Sequence, residues 1–445
     1  MHRLFLILFL IWGLSGCASY RTTTVVPQAA PLVKEISQPR PDSIQTEQLL
    51  SQASLSLADA LTLALAHNPE LAAFSYETRI QEAHALQAGL PPNPELGAEI
   101  ESFPGSGSLN GSLGAEWTLS IGQLVELGGK RAKRVQAATL RADLAAWDYE
   151  AAKLNVFVKV VTEFTETLAL QRRIELQNEL VRIAEEFLES INRRVKAGRA
   201  SPAEAARARV ELSITRIESE RLHKALLSAR KRLAATWGAK QPRFDCVAGN
   251  LENLVELPAM EQLSLLISQN PDIARWAVEM QRRDAEVELE KAQRVPDPVI
   301  SGGYRRLNES GGNAVVVGLS LPLALFNRNK GNIQAAQYRK RQAQQQKRAV
   351  EIALNTRLAE IYNRLSASYQ EINTLTTTVI PEARNAFEMI NQGNRMGKFG
   401  FLEVLDARRT LFQVRAQRLN AAKDYHRNVA RMERLIGQRL DQVRK

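Results

Sequence analysis

Residues 396–411 read MGKFGFLEVLDARRTL, and residues 197–212 read AGRASPAEAARARVEL. The two stretches align along their length, with Gly397 on Gly198, Glu403 on Glu204, Arg408 on Arg209 and Leu411 on Leu212. Each interrupts a long run of helix-forming residues. Gly198 and Gly397 can take the left-handed backbone that closes a helix. Ser201-Pro202 then opens the next helix, with serine as cap and proline in the first turn. Gly400-Phe401 holds that place in the second copy. Each stretch therefore reads as a turn between two long helices, and the chain contains that turn twice.

Further landmarks repeat in the same order. HNPELAAF at His67 matches QNPDIARW at Gln269, and PPNPEL at Pro91 matches VPDPVI at Val295. GGKRA at Gly128 matches RNKGN at Arg328, and TWG at Thr236 matches LIG at Leu435. A period of about 200 residues is a duplicated half, too long for a solenoid repeat. Each half runs short helix, Asn-Pro break, second helix, Pro-rich segment, a β pair, then two long helices. Residues 130–197 contain neither Gly nor Pro, and at ~1.5 Å per residue that window reaches roughly 100 Å. Windows 203–237, 332–380 and 401–436 are also uninterrupted, and Pro381 is expected to kink the helix that it follows. Rods of this length must pack on one another as coiled coils or a bundle.

In SLGAEWTLSIG, Leu113, Ala115, Trp117, Leu119 and Ile121 alternate with polar or small residues; Val315, Val317, Leu319 and Leu321 do so in AVVVGLSLP. PELGAEIESF and PVISGGYRR are their expected partners, joined by Gly/Ser/Asn-rich turns. The segments have the length of tilted transmembrane strands. A soluble sheet shows the same period, but here Glu99, Glu101 and Glu116 lie opposite the apolar face and nothing nearby covers that face. In a membrane the sheet must close, because open edges strand backbone groups in lipid. Four strands are too few for closure, so a membrane sheet requires several copies of the chain.

The chain has 445 residues, a net charge of +11 and only 6% aromatics. It opens with MHRLFLILFLIWGLSGC, a positive n-region and an apolar stretch too short to span a bilayer. Leu14-Ser15-Gly16-Cys17 resembles the bacterial lipobox, which makes Cys17 the acylated first residue; an ordinary secretory signal is the alternative. Cys246 then has no partner in the chain and reads as a small buried hydrophobe. The sequence divides into a signal at 1–16, a Pro-rich tether at 17–54, a first repeat at 55–238, a linker at 239–256, a second repeat at 257–437 and a tail at 438–445. In the first repeat the strands fall at about 94–121 and the long helices at about 129–197 and 201–237; in the second they fall at about 298–321, 331–393 and 400–436.

The lipobox, the duplication and the series NPELAA…PPNPELG…EWTLSIGQLVELGGKRAKR…VKAGRASPAEAARARVEL…LAATWG resemble the outer-membrane efflux proteins of the TolC superfamily. The wording is nearest to the heavy-metal Czc/Cnr-like branch, and the resemblance covers about residues 50–440. It implies a mainly α fold with a small β part. Three chains with four strands each would form a twelve-stranded barrel in the outer membrane of a Gram-negative bacterium, continued by a periplasmic coiled-coil tunnel. It also implies a passive exit duct for heavy-metal cations, docked to a periplasmic adaptor (membrane fusion protein) and an inner-membrane RND pump. No cofactor is implied beyond lipid at Cys17.

The resemblance places adaptor docking on the tips, at Gly198, Arg199, Ser201, Pro202 and Glu204 and at Gly397, Lys398, Phe399, Gly400 and Phe401. Exposed Phe399 and Phe401 would be contacts there; the alternative is packing against Met396. It places an acidic constriction on Glu403 and Asp406, three apart on one helix face, closed by salt bridges to Arg408, Arg409 or a neighbouring chain. A solvated face with an Asp406–Arg409 pair is the alternative. Lys130, Arg131, Lys133 and Arg134 follow the second strand, and Arg328, Lys330, Arg339, Lys340 and Arg341 follow the fourth. These read either as a cationic collar facing lipid phosphates or as ordinary paired surface charge.

Other classes fit less of the chain. A periplasmic coiled-coil lipoprotein, acting as spacer or adaptor without a channel, explains the lipobox and helices but leaves the strand pairs over. A nucleic-acid-binding coiled coil explains the charge but not the export signal. No Ser/His/Asp series, P-loop, HExxH motif or zinc spacing points to an enzyme or a metal centre, and His67, His84, His223 and His426 are scattered.

Overall fold

The computed structural model describes residues 31–32, 53–102 and 114–443. Cys17, the signal segment and nearly all of the tether lie outside the described residues. The first half comprises β1 (Ser54–Ser56), α1 (Leu57–His67), α2 (Pro69–Ala88), β2 (Glu95–Glu101), β3 (Glu116–Leu124), α3 (Lys130–Lys196) and α4 (Pro202–Ala235). A linker containing β4 (Cys246–Ala248) leads to α5 (Met260–Leu266), α6 (Pro271–Ala292), β5 (Val299–Leu307), β6 (Asn313–Ser320), α7 (Lys330–Thr374), α8 (Ile380–Arg395) and α9 (Phe401–Ile436). The described residues form two compact units. One holds 82–143 and 284–336, with the four-stranded sheet β2-β3-β5-β6; the other holds the rest.

The helical unit has one apolar core. Leu63 of α1, Leu154 and Phe157 of α3, Leu233 of α4, Leu263 of α5, Leu358 and Leu365 of α7, and Tyr425 and Met432 of α9 are all at or near zero exposure. Both short helices thus sit among the long ones. α1 is started by a capping box: Ser56 Oγ accepts from Asp59 N–H, and Asp59 accepts from Ser56 N–H.

Each Asn-Pro break does more than stop a helix. Asn68 is buried; its Oδ1 accepts from Leu71 N–H, capping α2, while its Nδ2 donates at 2.7 Å to Thr236 O at the end of α4. Asn270 is 1% exposed and repeats this, accepting from Asp272 N–H and donating to Arg434 O and Leu435 O at the end of α9. One side chain therefore satisfies the start of one helix and the last carbonyls of another. Gly238 closes α4 at φ +78°, and a methyl there would press on the Pro69 ring.

The expected single helix over 331–393 is instead three pieces. A π-turn, Leu375–Val379, lies between α7 and α8, with Ile380 N–H reaching back to Leu375 O. Pro381 removes a donor and crowds the preceding turn, and the wider turn takes up the mismatch without breaking the rod.

The linker is stapled down from several sides. β4 pairs in parallel with β1, and Gln171 of α3 both donates to Val247 O and accepts from Val247 N–H. The Tyr425 hydroxyl donates to Val255 O and accepts from Val255 N–H; burial first, against that bond, pushes its pKa up to about 12. His426 Nε2 donates to Leu251 O, and burial holds the imidazole below its ordinary pKa. Cys246 is partly rather than fully buried.

Asn68→Ala or Asn270→Ala should each cost about 2 kcal/mol, since a cap and one or two buried carbonyls lose their partner together; the shift in a chemical-denaturation midpoint measures this. An unfolded imidazole binds its proton near its ordinary pKa of about 6.5, whereas buried His426 resists protonation to lower pH. Stability is thus complete above that value and is lost as the pH falls through it toward the folded pKa. His426→Gln should flatten the decline in thermal stability over the acid side of neutrality.

Candidate functional site: channel wall and helical tips

The sheet is antiparallel throughout, and its register divides the side chains cleanly. Leu96, Ala98 and Ile100 of β2 stand opposite Ile121, Leu119 and Trp117 of β3. Those in turn stand opposite Gly302, Tyr304 and Arg306 of β5, which face Val317, Val315 and Asn313 of β6. One face is consequently a continuous apolar field, with Val315 81% and Leu96 71% exposed. It ends in the pair Arg306–Asn313. The other face carries Glu95, Glu99, Glu101, Glu116, Thr118, Ser120, Ser301 and Arg305. Arg305 donates to Thr118 Oγ1 and Glu116, and pairs with Glu101 at 2.8 Å. β3 and β5 join the two halves, while β2 and β6 are edges.

Below the sheet, two αL residues start the long helices, Gly129 (φ +69°) before α3 and Asn329 (φ +54°) before α7. Asn329 tolerates this conformation, being one of the few non-glycine types that do. Its Nδ2 bonds Glu290. The first basic cluster turns inward. Lys130 is buried and pairs with Asp297 at 2.6 Å; that carboxylate, against the cost of burial, is held below its usual pKa by Lys130 and Leu127 N–H. Arg134 makes a bidentate pair with Glu126 and donates to Ala88 O and Leu90 O; Lys133 lies 3.6 Å from Glu288. Lys130, Lys133 and Arg134 are thus each paired with a carboxylate at the lower end of the sheet, as the paired-charge alternative expects. Arg131, Arg328, Lys330, Arg339 and Arg341 are exposed.

The two tips share one backbone design. At the first, Gly198 (φ +68°) donates to Val195 O and Arg199 to Arg194 O; at the second, Gly397 (φ +78°) donates to Asn394 O and Lys398 to Gly393 O. This is the Schellman closure. Ser201 then caps α4 through Ala203 N–H. The second tip has no side-chain cap. Asn394 Nδ2 there donates to Phe399 O, and the Phe399 ring lies over Gly393, where any β-carbon would collide with it. Phe399 remains 42% exposed, with its ring seated on Gly393. The Phe401 side chain lies outside the described ones.

Glu403 and Asp406 are exposed on α9, with the Glu403 carboxylate folded over Gly400 at the helix start, where the macrodipole favours it. Arg409 feels the Asp406 charge, but its hydrogen bonds go elsewhere. Arg409 makes a bidentate pair with Glu211 of α4. Arg408 is buried, 3.9 Å from the same carboxylate and 5.9 Å from the Phe187 ring centroid, and burial lowers its pKa.

The sequence profile of the family "Outer membrane efflux protein" matches residues 60–239 and 262–438. This chain is an outer membrane efflux protein. It is similar to the cobalt-zinc-cadmium resistance protein CzcC of Cupriavidus metallidurans, 34% identical over 86% of this chain and 90% of that one. It is also similar to the nickel and cobalt resistance protein CnrC of the same organism, 27% identical over 66% of this chain and 70% of that one. Among solved structures, the Campylobacter jejuni CmeC outer membrane channel superposes with a TM-score of 0.71 at 15% identity, covering 95% of this chain and 90% of that one. The efflux protein thus has the TolC-like channel fold.

Sequence reasoning missed Glu211, whose repeat counterpart is Thr410; its partners lie about two hundred residues away on α9, and no local pattern marks the pairing. In this efflux protein Glu211→Gln should lower thermal stability more than Arg409→Gln does, because only the former leaves buried Arg408 without its counter-charge. Differential scanning calorimetry of the two variants compares them directly.

Proposed function

We propose that three copies of this chain close a channel through the outer membrane, and that its helical tips dock a periplasmic adaptor serving an inner-membrane RND pump. One observation carries the reading. A sheet with an apolar outer face, an ionised inner face and two open edges is stable in lipid only when other copies pair its edges. The relatives named for resistance to cobalt, zinc, cadmium and nickel support heavy-metal cations as cargo. Inner-face Glu95, Glu99, Glu101 and Glu116 suit such a cargo by favouring cations over anions. Cys17 is the proposed lipid anchor, and exposed Arg131, Arg328 and Lys330 are the proposed contacts to lipid phosphates.

The adaptor surface is formed by Gly198, Arg199, Ser201, Pro202 and Glu204 with Gly397, Lys398, Phe399, Gly400 and Phe401. Glu403 and Asp406, in three copies, form an acidic ring near these tips. Glu403→Ala combined with Asp406→Ala should raise single-channel conductance in a planar bilayer and weaken cation selectivity. Wild-type values for both would reject the ring, and purified protein that is monomeric and non-conducting would reject the channel.

A further inference from the structure

Thr236-Trp237-Gly238 ends α4 as Leu435-Ile436-Gly437 ends α9, both glycines are left-handed, and the residues that follow correspond at the same offset. After α9 the place is sealed. Leu440, in a short 3-10 turn, is 1% exposed, and its N–H donates to Glu433 Oε1 at 3.0 Å. Arg439 lies 3.5 Å from the same carboxylate. Leu32, fully buried, donates its N–H to Gly437 O. After α4 the plug and the counter-charge are both missing. Gln241 stands where Leu440 does and is exposed. Lys240 stands for Arg439, but Ala234 stands for Glu433. A cleft of about 460 Å³ stays open there.

We propose that this cleft binds a small anion with an apolar body, a carboxylate or sulfonate carried on a ring or a short hydrocarbon. The floor is apolar. It is made by Leu55 of β1, Leu63 of α1, Trp237 and Phe244, the two rings having centroids 6.1 Å apart. The rim carries His67 at the end of α1, Lys240, Gln241 and Arg243, and no carboxylate among the described residues lines it. Among the described residues, none of these four rim side chains has a hydrogen bond or an ion pair. Asp245, the closest acid in the sequence, lies 3.5 Å from Arg230, which also donates to Phe244 O. Trp237 is 6% exposed and leaves its indole N–H without an acceptor among the described residues. Two side-chain cations beside apolar surface, with no counter-charge of their own, set the sign of the ligand. An anion gains charge-assisted bonds from Lys240 and Arg243, while its apolar part leaves water against the floor. The volume lies within the ~300–1,000 Å³ of small-ligand pockets. A cation or an uncharged solute matches only half of the site.

The probe is para-trifluoromethylbenzenesulfonate, followed by fluorine NMR in the presence of the purified full-length protein. Saturable line broadening is expected, with a dissociation constant of roughly 0.1–1 mM for a ligand of this size. Gln241→Leu, which copies the Leu440 plug, should abolish the broadening. The unliganded variant should melt no lower than wild type, which separates a filled cleft from a damaged fold. Lys240→Gln combined with Arg243→Gln should weaken binding by about tenfold or more. The neutral para-trifluoromethylbenzenesulfonamide should bind wild type no better than it binds that double variant. All three substituted side chains are exposed, so the core is left intact. No saturable binding, as a cleft filled by residues 33–52 of the chain itself would give, overturns the site. Sulfonate binding that is equal in wild type and both variants also overturns it. Equal affinity of wild type for the sulfonate and the sulfonamide overturns the anion assignment. The site lies within one chain, so none of these results bears on the channel.

Discussion

A backbone amide surrounded by hydrocarbon has no water to fall back on, and this one fact governs the chain. It requires the four strands to find partners beyond β2 and β6, and it explains why the outward residues are apolar while Glu, Ser, Thr and Arg305 collect on the other face. The strands cannot be judged as a soluble sheet, because the surface that looks like a liability in water is the one that lipid covers.

Duplication gives the chain two chances to solve each local problem, and the two halves solve them with different chemistry. The αL residue that starts the long helix is Gly129 in one half and Asn329 in the other, the latter held by Glu290. Asn68 and Asn270 both tie a helix start to the equivalent carbonyl at a helix end, Thr236 O or Leu435 O, and Asn270 adds Arg434 O. The tips share a closure, yet only the first has a serine cap; the second uses the Phe399 ring on Gly393. The π-turn ahead of Pro381 belongs to the second half, where a proline interrupts a rod whose counterpart runs unbroken from Lys130 to Lys196.

Much of the architecture was legible because it rests on period and punctuation. Alternation at Trp117, Leu119, Ile121 and at Val315, Val317, Leu319 reports which face meets lipid, and Gly198 and Gly397 mark the turns. Charges were not legible in the same way. A run such as Lys130-Arg131-Ala132-Lys133-Arg134 is uniform on paper, but successive helical residues point in different directions, and three of its four cations meet Asp297, Glu288 and Glu126. Arg408 and Arg409 likewise select Glu211, about two hundred residues away in the sequence, over Asp406 on their own helix. Local sequence shows where a charge sits on its element; only packing shows what it faces.

The closure of the tips carries a consequence for molecular recognition. The amide hydrogens of Gly198, Arg199, Gly397 and Lys398 are already committed to carbonyls of the helices they terminate. A visiting protein cannot extend a sheet there or grip these four by main-chain bonding. Whatever meets these ends must read protruding side chains and curvature, so its specificity can drift by exchange of a few surface residues while the turn itself stays fixed.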